Sequence, residues 1–193
     1  MNNRSNTPHH RRSIRLPGFD YSQDGAYFIT ICTHRKFHSF GEVVDCQMRL
    51  TDIGSLADKF WREIPGHFHH AELLEWVVMP NHIHGVIVLQ RDDNINVGTS
   101  VPCPYENAQA FGRSVKGSIP LIIGLYKSTV TKAVYLICQS KGKVWQRGYY
   151  EHIIRNYDDL AAIIDYIRLN PFNWETDKEN PIPGLFPQLL REC

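Results

Sequence analysis

The hydrophobic pattern of this chain switches repeatedly between a period of two and a period near 3.6, and each switch marks an element. Ala26-Tyr27-Phe28-Ile29-Thr30-Ile31-Cys32 is rich in β-branched and aromatic residues and predicts a strand. Phe40 to Leu50 predicts a small hairpin, with Gly41-Glu42-Val43-Val44 turning at Asp45 toward Gln47-Met48-Arg49-Leu50. A helix follows, with Thr51 as N-cap and Ile53, Leu56, Phe60 and Ile64 as its apolar stripe. Leu73 to Met79 predicts a second core strand. Pro80-Asn81 turns the chain, and His82 to Leu89 returns as the third. Residues 91–117 are polar, Gly/Ser-rich and without periodicity, which predicts a mobile insertion. Ser118 to about Cys138 is the next helix, apolar at Leu121, Ile122, Leu125 and Val130. Lys143 to Arg155 is a fourth strand region rich in aromatics. The last helix runs from Tyr157 to Asn170, where Pro171 stops it, and buries Leu160, Ile163, Ile164 and Ile167 at i, i+3, i+4, i+7 spacing. No internal repeat is visible.

The order β-α-β-β-α-β followed by a helix predicts an α+β fold of ferredoxin-like type. Its antiparallel sheet carries helices on one face, and an added C-terminal helix follows. The His82 strand is expected at the centre, with its second face open.

Composition narrows the class. At 193 residues with 42% hydrophobic and 21% charged positions, the chain is expected to form one globular domain with extensions. No apolar run is read as reaching the roughly 20 residues of a membrane span. The polar start Met1-Asn2-Asn3-Arg4-Ser5 has no signal-peptide pattern. Cysteines at 32, 46, 103, 138 and 193 form no Cys-x-x-Cys, which argues against a zinc ribbon or disulfide framework and for a reducing cytoplasm. Net charge is only +1, but it is segregated. Arg4, Arg11, Arg12 and Arg15 make residues 1–20 a basic arm. Lys116, Lys127, Lys132, Lys141, Lys143, Arg147 and Arg155 face a single acid, Glu151, and the acids gather later at Asp158, Asp159, Asp165, Glu175, Asp177 and Glu179. Such segregation fits a polyanion-binding face, although solvated helices produce similar runs.

The chemistry concentrates in Met79-Pro80-Asn81-His82-Ile83-His84-Gly85-Val86-Ile87-Val88-Leu89. Side chains on a strand alternate faces, so His82 and His84 point the same way and Ile83 the other. Two imidazoles about 7 Å apart at the backbone can converge on one metal ion at roughly 2.1 Å each. An incidental surface pair is the competing reading. A second His-x-His, in Gly66-His67-Phe68-His69-His70, follows the turn signal Pro65-Gly66, and no strand fixes its geometry. On the last helix Tyr166 and Asn170 are one turn apart on one flank, roughly 70–110° from the apolar stripe. Alone, Tyr166 reads first as a half-buried packing residue.

Three blocks taken together are specific. They are Trp76-Val77-Val78-Met79-Pro80-Asn81-His82-Ile83-His84-Gly85, Trp145-Gln146-Arg147-Gly148-Tyr149-Tyr150-Glu151-His152-Ile153-Ile154-Arg155-Asn156, and Asp165-Tyr166-Ile167-Arg168-Leu169-Asn170-Pro171. In this order they resemble the REP-associated tyrosine transposase family, which belongs to the single-tyrosine HUH (histidine, hydrophobe, histidine) transposases related to insertion-sequence enzymes. Arg11 to Tyr21 and Tyr27 to Cys32 resemble the same family, so the likeness spans about residues 10–175. It implies a transposase-like domain over residues 21–175 and a tail over 176–193. It implies that His82 and His84 are metal ligands, Tyr166 is the nucleophile on a DNA phosphate and Asn170 is the third protein ligand. The related insertion-sequence transposases often carry glutamine at that last position. The shorter Asn170 demands closer approach of its helix.

The resemblance further implies magnesium or manganese as cofactor, although two imidazoles alone would equally admit zinc. A free tyrosine has a pKa near 10, so only about one in a thousand is phenolate at neutral pH, and attack on a phosphodiester needs activation. The implied product is a 5′-phosphotyrosine link plus a free 3′-hydroxyl, reversible without ATP. The implied partner is DNA, single-stranded at the cleaved position and hairpin-forming beside it. Lys132, Lys143, Arg147 and Arg155 are candidate phosphate contacts, and Arg11, Arg12 and Arg15 a candidate hairpin-reading arm. A homodimer is compatible, since in insertion-sequence relatives a partner chain can supply the tyrosine helix. Tyr149, Tyr150 and Tyr157 compete as nucleophile. Trp145, Tyr149 and Tyr150 read as strand packing ahead of base platforms. Two other functions compete with this one. A histidine-triad nucleotide hydrolase requires a third histidine where Val86 stands, and a non-catalytic DNA-binding protein would keep fold and hairpin recognition alone.

Overall fold

A computed structural model describes residues 19–90, 115–139 and 142–180. The arm with Arg11, Arg12 and Arg15, most of the expected 91–117 insertion, and residues 181–193 lie outside the described residues. The elements in chain order are β1 (Gly25–Cys32), β2 (Gly41–Val44), β3 (Gln47–Leu50), α1 (Asp52–Arg62), the short α2 (Ile64–His67), β4 (Ala71–Met79), β5 (His82–Leu89), α3 (Ile119–Cys138), β6 (Tyr150–Ile154) and α4 (Tyr157–Leu169).

The main sheet has the order β4-β5-β1-β6 with every pair antiparallel, and β2-β3 form a separate hairpin. With the hairpin set aside, this is the ferredoxin-like arrangement expected from the alternation of elements. The hairpin turns at Asp45 and Cys46, both at positive φ, as a two-residue turn that matches strand twist requires. Thr51 caps α1 by accepting from Gly54 N at 3.1 Å, and Asn156 caps α4 by accepting from Asp159 N at 2.8 Å.

Register sorts the side chains onto two faces. Tyr27, Ile29, Ile31, Ile83 and Ile87 turn to one side, where Ile53, Ala57 and Trp61 of α1 and Ile122, Tyr126 and Val130 of α3 complete the main core. Gly85 sits under Trp61, and a Cβ there would lie 2.5 Å from the indole, so glycine lets this helix approach the sheet. The 20 residues of α3 are apolar enough to satisfy the membrane-span length that the sequence reading did not find. Packing buries Ile119, Ile122, Ile123, Leu125, Tyr126, Val130 and Val134 of this helix, whereas Leu136 and Ile137 near its C-terminus are exposed.

The opposite face carries Phe28, Thr30, Cys32, His82, His84 and Val86. It is closed, contrary to the expectation of an open side. Leu160, Ile163, Tyr166 and Ile167 of α4 pack on Phe28, Val77 and Val86. Tyr166 is half-buried and packs against this cluster, whereas Ile164, expected in the same stripe, is not part of it. The segment 143–149 is not strand. Apart from a single bridge between Trp145 and Thr33 it is irregular, with a bend at Arg147 and Gly148, and Lys127 Nζ donates to Gln146 O and Gly148 O at 2.8 and 2.7 Å.

Candidate active site

β5 delivers His82 and His84 to the same face, with ring centroids 4.3 Å apart, and burial leaves His82 0% and His84 2% exposed. The ring of His84 stacks on Phe28 from β1, and its Nδ1 lies 2.8 Å from Thr30 Oγ1 on the directly opposed residue. His82 Nδ1 lies 2.8 Å from Asn81 Oδ1, and Trp174 covers its ring at 6.0 Å. α4 crosses this face so that Tyr166 Oη lies 3.2 Å from His84 Nε2. One turn later Asn170 is 1% exposed.

Electrostatics follow burial. Desolvation pulls the His82 pKa down to about 4 despite the nearby carboxylates of Asp177 and Glu179, and it pulls His84 well below the usual imidazole range, helped by His82. Both rings are neutral at pH 7, the form that ligates metals. Desolvation first, then Asp177, pushes the Tyr166 phenol up to about 12.

The donor set fits a divalent ion. Asn170 Nδ2 donates to Asp177 Oδ2 at 2.9 Å, which fixes the amide and frees Oδ1 for another partner. Among the described residues, His82 Nε2 and Asn170 Oδ1 are buried without a hydrogen-bond partner, and buried polar atoms are rarely left so. Ligand atoms of His82, His84 and Asp177 lie within 4.8 Å of one another. Both Asp177 oxygens are otherwise engaged, Oδ2 by Asn170 and Oδ1 by Glu179 N at 2.6 Å. Two imidazole nitrogens and one carboxylate are thus within reach of one ion, and Asn170, held on that carboxylate, keeps its buried amide oxygen without a partner.

The other expected residues scatter. Lys132 is exposed on α3, the helix that covers the sheet face opposite the histidines. Lys143 and Arg147 are exposed in the irregular segment before β6, and Arg155 is exposed between β6 and α4. Tyr149 packs on the main core, Tyr157 is 89% exposed at the start of α4, and Tyr150 is on the histidine face, 44% exposed and edge-on to Phe28. His67 ends α2 and His70 Nε2 pairs with Gly117 O at 2.9 Å, so the second His-x-His builds no cluster with the site.

Sequence reasoning missed Thr30, Asn81, Trp174, Asp177 and Glu179. Asn81 had a signal in its adjacency to His82. Residues 177 and 179 fall in the segment read as a tail, where no period marks an element, yet a 3-10 turn at Trp174–Thr176 folds them back onto the site.

Comparison with known proteins gives the lineage. No family model matches the chain. An uncharacterized protein of Haemophilus influenzae is 37% identical over 170 residues, covering 88% of this chain and 93% of that protein. A second H. influenzae protein, named "Putative REP-associated tyrosine transposase", is 25% identical over 162 residues, covering 79% and 73%. A solved structure of a REP-associated tyrosine transposase bound to a REP hairpin superposes with a TM-score of 0.50 at 20% identity, over 83% of this chain and 74% of that one, which is a likeness of fold. The chain belongs to one family with the first of these H. influenzae proteins, and it is similar in sequence to the second and in fold to the solved REP-associated tyrosine transposase.

Proposed function

We propose that the protein is a metal-dependent transesterase of single-stranded DNA, which cleaves and rejoins strands beside hairpins through a covalent 5′-phosphotyrosine intermediate. The observation that carries this reading is the Tyr166 hydroxyl, 3.2 Å from His84 Nε2 in a buried pocket that also holds neutral His82 and the unpartnered Asn170 Oδ1. Tyr166 Oη attacks the phosphorus, the bond to the 3′ oxygen breaks, and that oxygen leaves as a hydroxyl. The phenol gives up one proton and the leaving oxygen gains one, so the exchange of esters is balanced and reversible. His84 Nε2 can ligate an ion only in the tautomer that leaves its lone pair there, and that lone pair then serves either the phenol or the ion, so Tyr166 must leave this hydrogen bond when the site is loaded. Asp177 and Glu179 oppose both a phenolate and an incoming phosphate. A divalent ion held by His82, His84 and Asn170 would supply the compensating positive charge and Lewis-acid polarisation of the phosphate. Two imidazoles with amide and carboxylate oxygens suit manganese or zinc better than magnesium, which prefers oxygen alone.

Hairpin DNA is carried over as partner from the related transposase, whose structure holds a REP hairpin. Lys143, Arg147, Arg155 and the arm with Arg11, Arg12 and Arg15 are its proposed phosphate contacts, and the cytoplasm is the proposed compartment. The non-catalytic reading is favoured by one observation, that the site is closed and its phenol pushed up to about 12. A labelled hairpin with single-stranded flanks, incubated with manganese, separates the two. Metal-dependent cleavage by the native protein, abolished by joint His82→Ala and His84→Ala replacement, supports the transesterase. Cleavage that persists in the double variant contradicts it, and tight binding without cleavage supports the binder.

A further inference from the structure

Asn81 is fully buried immediately before the first histidine, and both ends of its side-chain amide are used. Nδ2 donates to Glu179 O at 2.7 Å and reaches Lys36 O at 3.4 Å. Both partners are main-chain carbonyls, which can only accept, so the NH2 group must face them and the amide cannot be turned over. That orientation places Oδ1 2.8 Å from His82 Nδ1. An amide oxygen also can only accept, so Nδ1 carries the proton. A neutral imidazole has one N–H, and the lone pair is therefore on Nε2, the buried atom without a partner.

We propose that Asn81 is a positioning residue that locks His82 in its Nδ1–H tautomer and aims the Nε2 lone pair into the site. The tautomer follows from these hydrogen bonds together with burial of the ring, which keeps it neutral. Its use, in setting metal affinity, rests on the function proposed above. The lock is itself held from both sides. Glu179 is fixed by its N–H to Asp177 Oδ1 at 2.6 Å and by its carboxylate on Lys36 Nζ at 3.0 Å. Asn81 O accepts from Thr33 N at 2.8 Å and from Thr33 Oγ1 at 3.1 Å, which anchors the residue's backbone. His84 lacks such a lock. Its Nδ1 faces the Thr30 hydroxyl, which can donate or accept, so the neighbour does not dictate the tautomer.

The two histidines should then respond differently to variants, which makes the proposal testable without DNA. In 15N-histidine-labelled, metal-free protein at pH 7, two-bond 1H–15N correlation spectra should show His82 as the Nδ1–H tautomer. Asn81→Leu, which removes donor and acceptor together, should shift His82 toward Nε2–H and leave His84 unchanged. Asn81→Asp keeps the acceptor and loses the donors, and should retain Nδ1–H. Manganese affinity by calorimetry should fall about 10–100-fold in Asn81→Leu and recover most of that loss in Asn81→Asp. An Nε2–H His82 in the native protein overturns the proposal and needs no variant to fold. So does a folded Asn81→Leu with native tautomer and native affinity. If the native protein binds no manganese while the tautomer behaves as expected, the metal-dependent function fails and the role of Asn81 stands.

Discussion

A phenol held at about 12 is ionised in only about one molecule in 100,000 at pH 7, so Tyr166 as it stands in the closed site is a poor nucleophile. Its neighbours explain why. Burial removes solvent, and Asp177 adds negative charge. The same Asp177 holds the Asn170 amide so that Oδ1 is free, and this makes the carboxylate a brace for the proposed third ligand as well as a neighbour of the histidines. If Asn170 is the ligand and Asp177 the brace, Asn170→Ala should weaken manganese binding at least about tenfold, within the range expected for losing a ligand or its support. Asp177→Asn, which keeps an oxygen able to accept from Asn170, should cost less. Calorimetric titration of both variants checks the order, and the reverse order would place the carboxylate on the ion.

At the scale of elements, α4 is the part that makes the site. Its N-terminus is pinned by the Asn156 cap and by Asp159, whose carboxylate takes His152 Nε2 at 2.9 Å, and near its C-terminus Arg168 pairs with Glu75 at 2.7 Å. The hydrogen bond from His152 holds the Asp159 carboxyl below its ordinary 3.8. A folded-state pKa below the unfolded value means stability that is present above 3.8 and lost as pH falls through the folded value. Thermal unfolding should show the native protein more stable than Asp159→Asn at pH 5, with the gap closing below pH 3.8. A gap that stays constant would remove the ionic part of the pin. On the other face of the sheet, Gly85→Ala drives a methyl into Trp61, and overpacking of this kind costs about 1–3 kcal/mol by chemical denaturation, with the histidines still on their strand. The first three strands of the sheet, the hairpin turn at Asp45 and the helix cap at Thr51 were legible, because each rests on local periodicity or local hydrogen bonding. The fourth strand begins at Tyr150, seven residues after the expected Lys143, and the cap at Asn156 was not foreseen. A period of two told that His82 and His84 share a face, but not that α4 would cover it. The 3.6 period placed Leu160, Ile163 and Ile167 against the sheet but also counted Ile164, which is not in that cluster, while the half-buried Tyr166 packs at its edge. Asp177 and Glu179 reach the site through a 3-10 turn, whose contacts carry no sequence period.

For the whole molecule, the two sheet faces divide the work of folding from that of chemistry. The larger core, between the sheet and α1 with α3, supplies the rigid support, and the histidine face carries the polar atoms. The cations singled out in the sequence do not form one patch. Lys132 stands across the sheet from Tyr166, whereas Lys143 and Arg147 share the irregular segment before β6. Charge reversal at Lys143 and Arg147 should therefore weaken hairpin binding more than Lys132→Glu. Each lost phosphate contact should also flatten the log–log salt dependence by about 0.7–0.9. Fluorescence anisotropy across a salt series reads both quantities. A Lys132→Glu protein as impaired as the other two would mean that the DNA path crosses α3.

The central claim is that Tyr166 becomes joined to DNA. A denaturing gel of the protein mixed with end-labelled hairpin DNA and manganese tests it directly. The account predicts a shifted covalent band in the native protein that disappears in Tyr166→Phe and persists in Tyr149→Phe, Tyr150→Phe and Tyr157→Phe, while Tyr166→Phe still binds the hairpin. A covalent band that survives Tyr166→Phe, or that is lost only on replacing one of the other tyrosines, would contradict it.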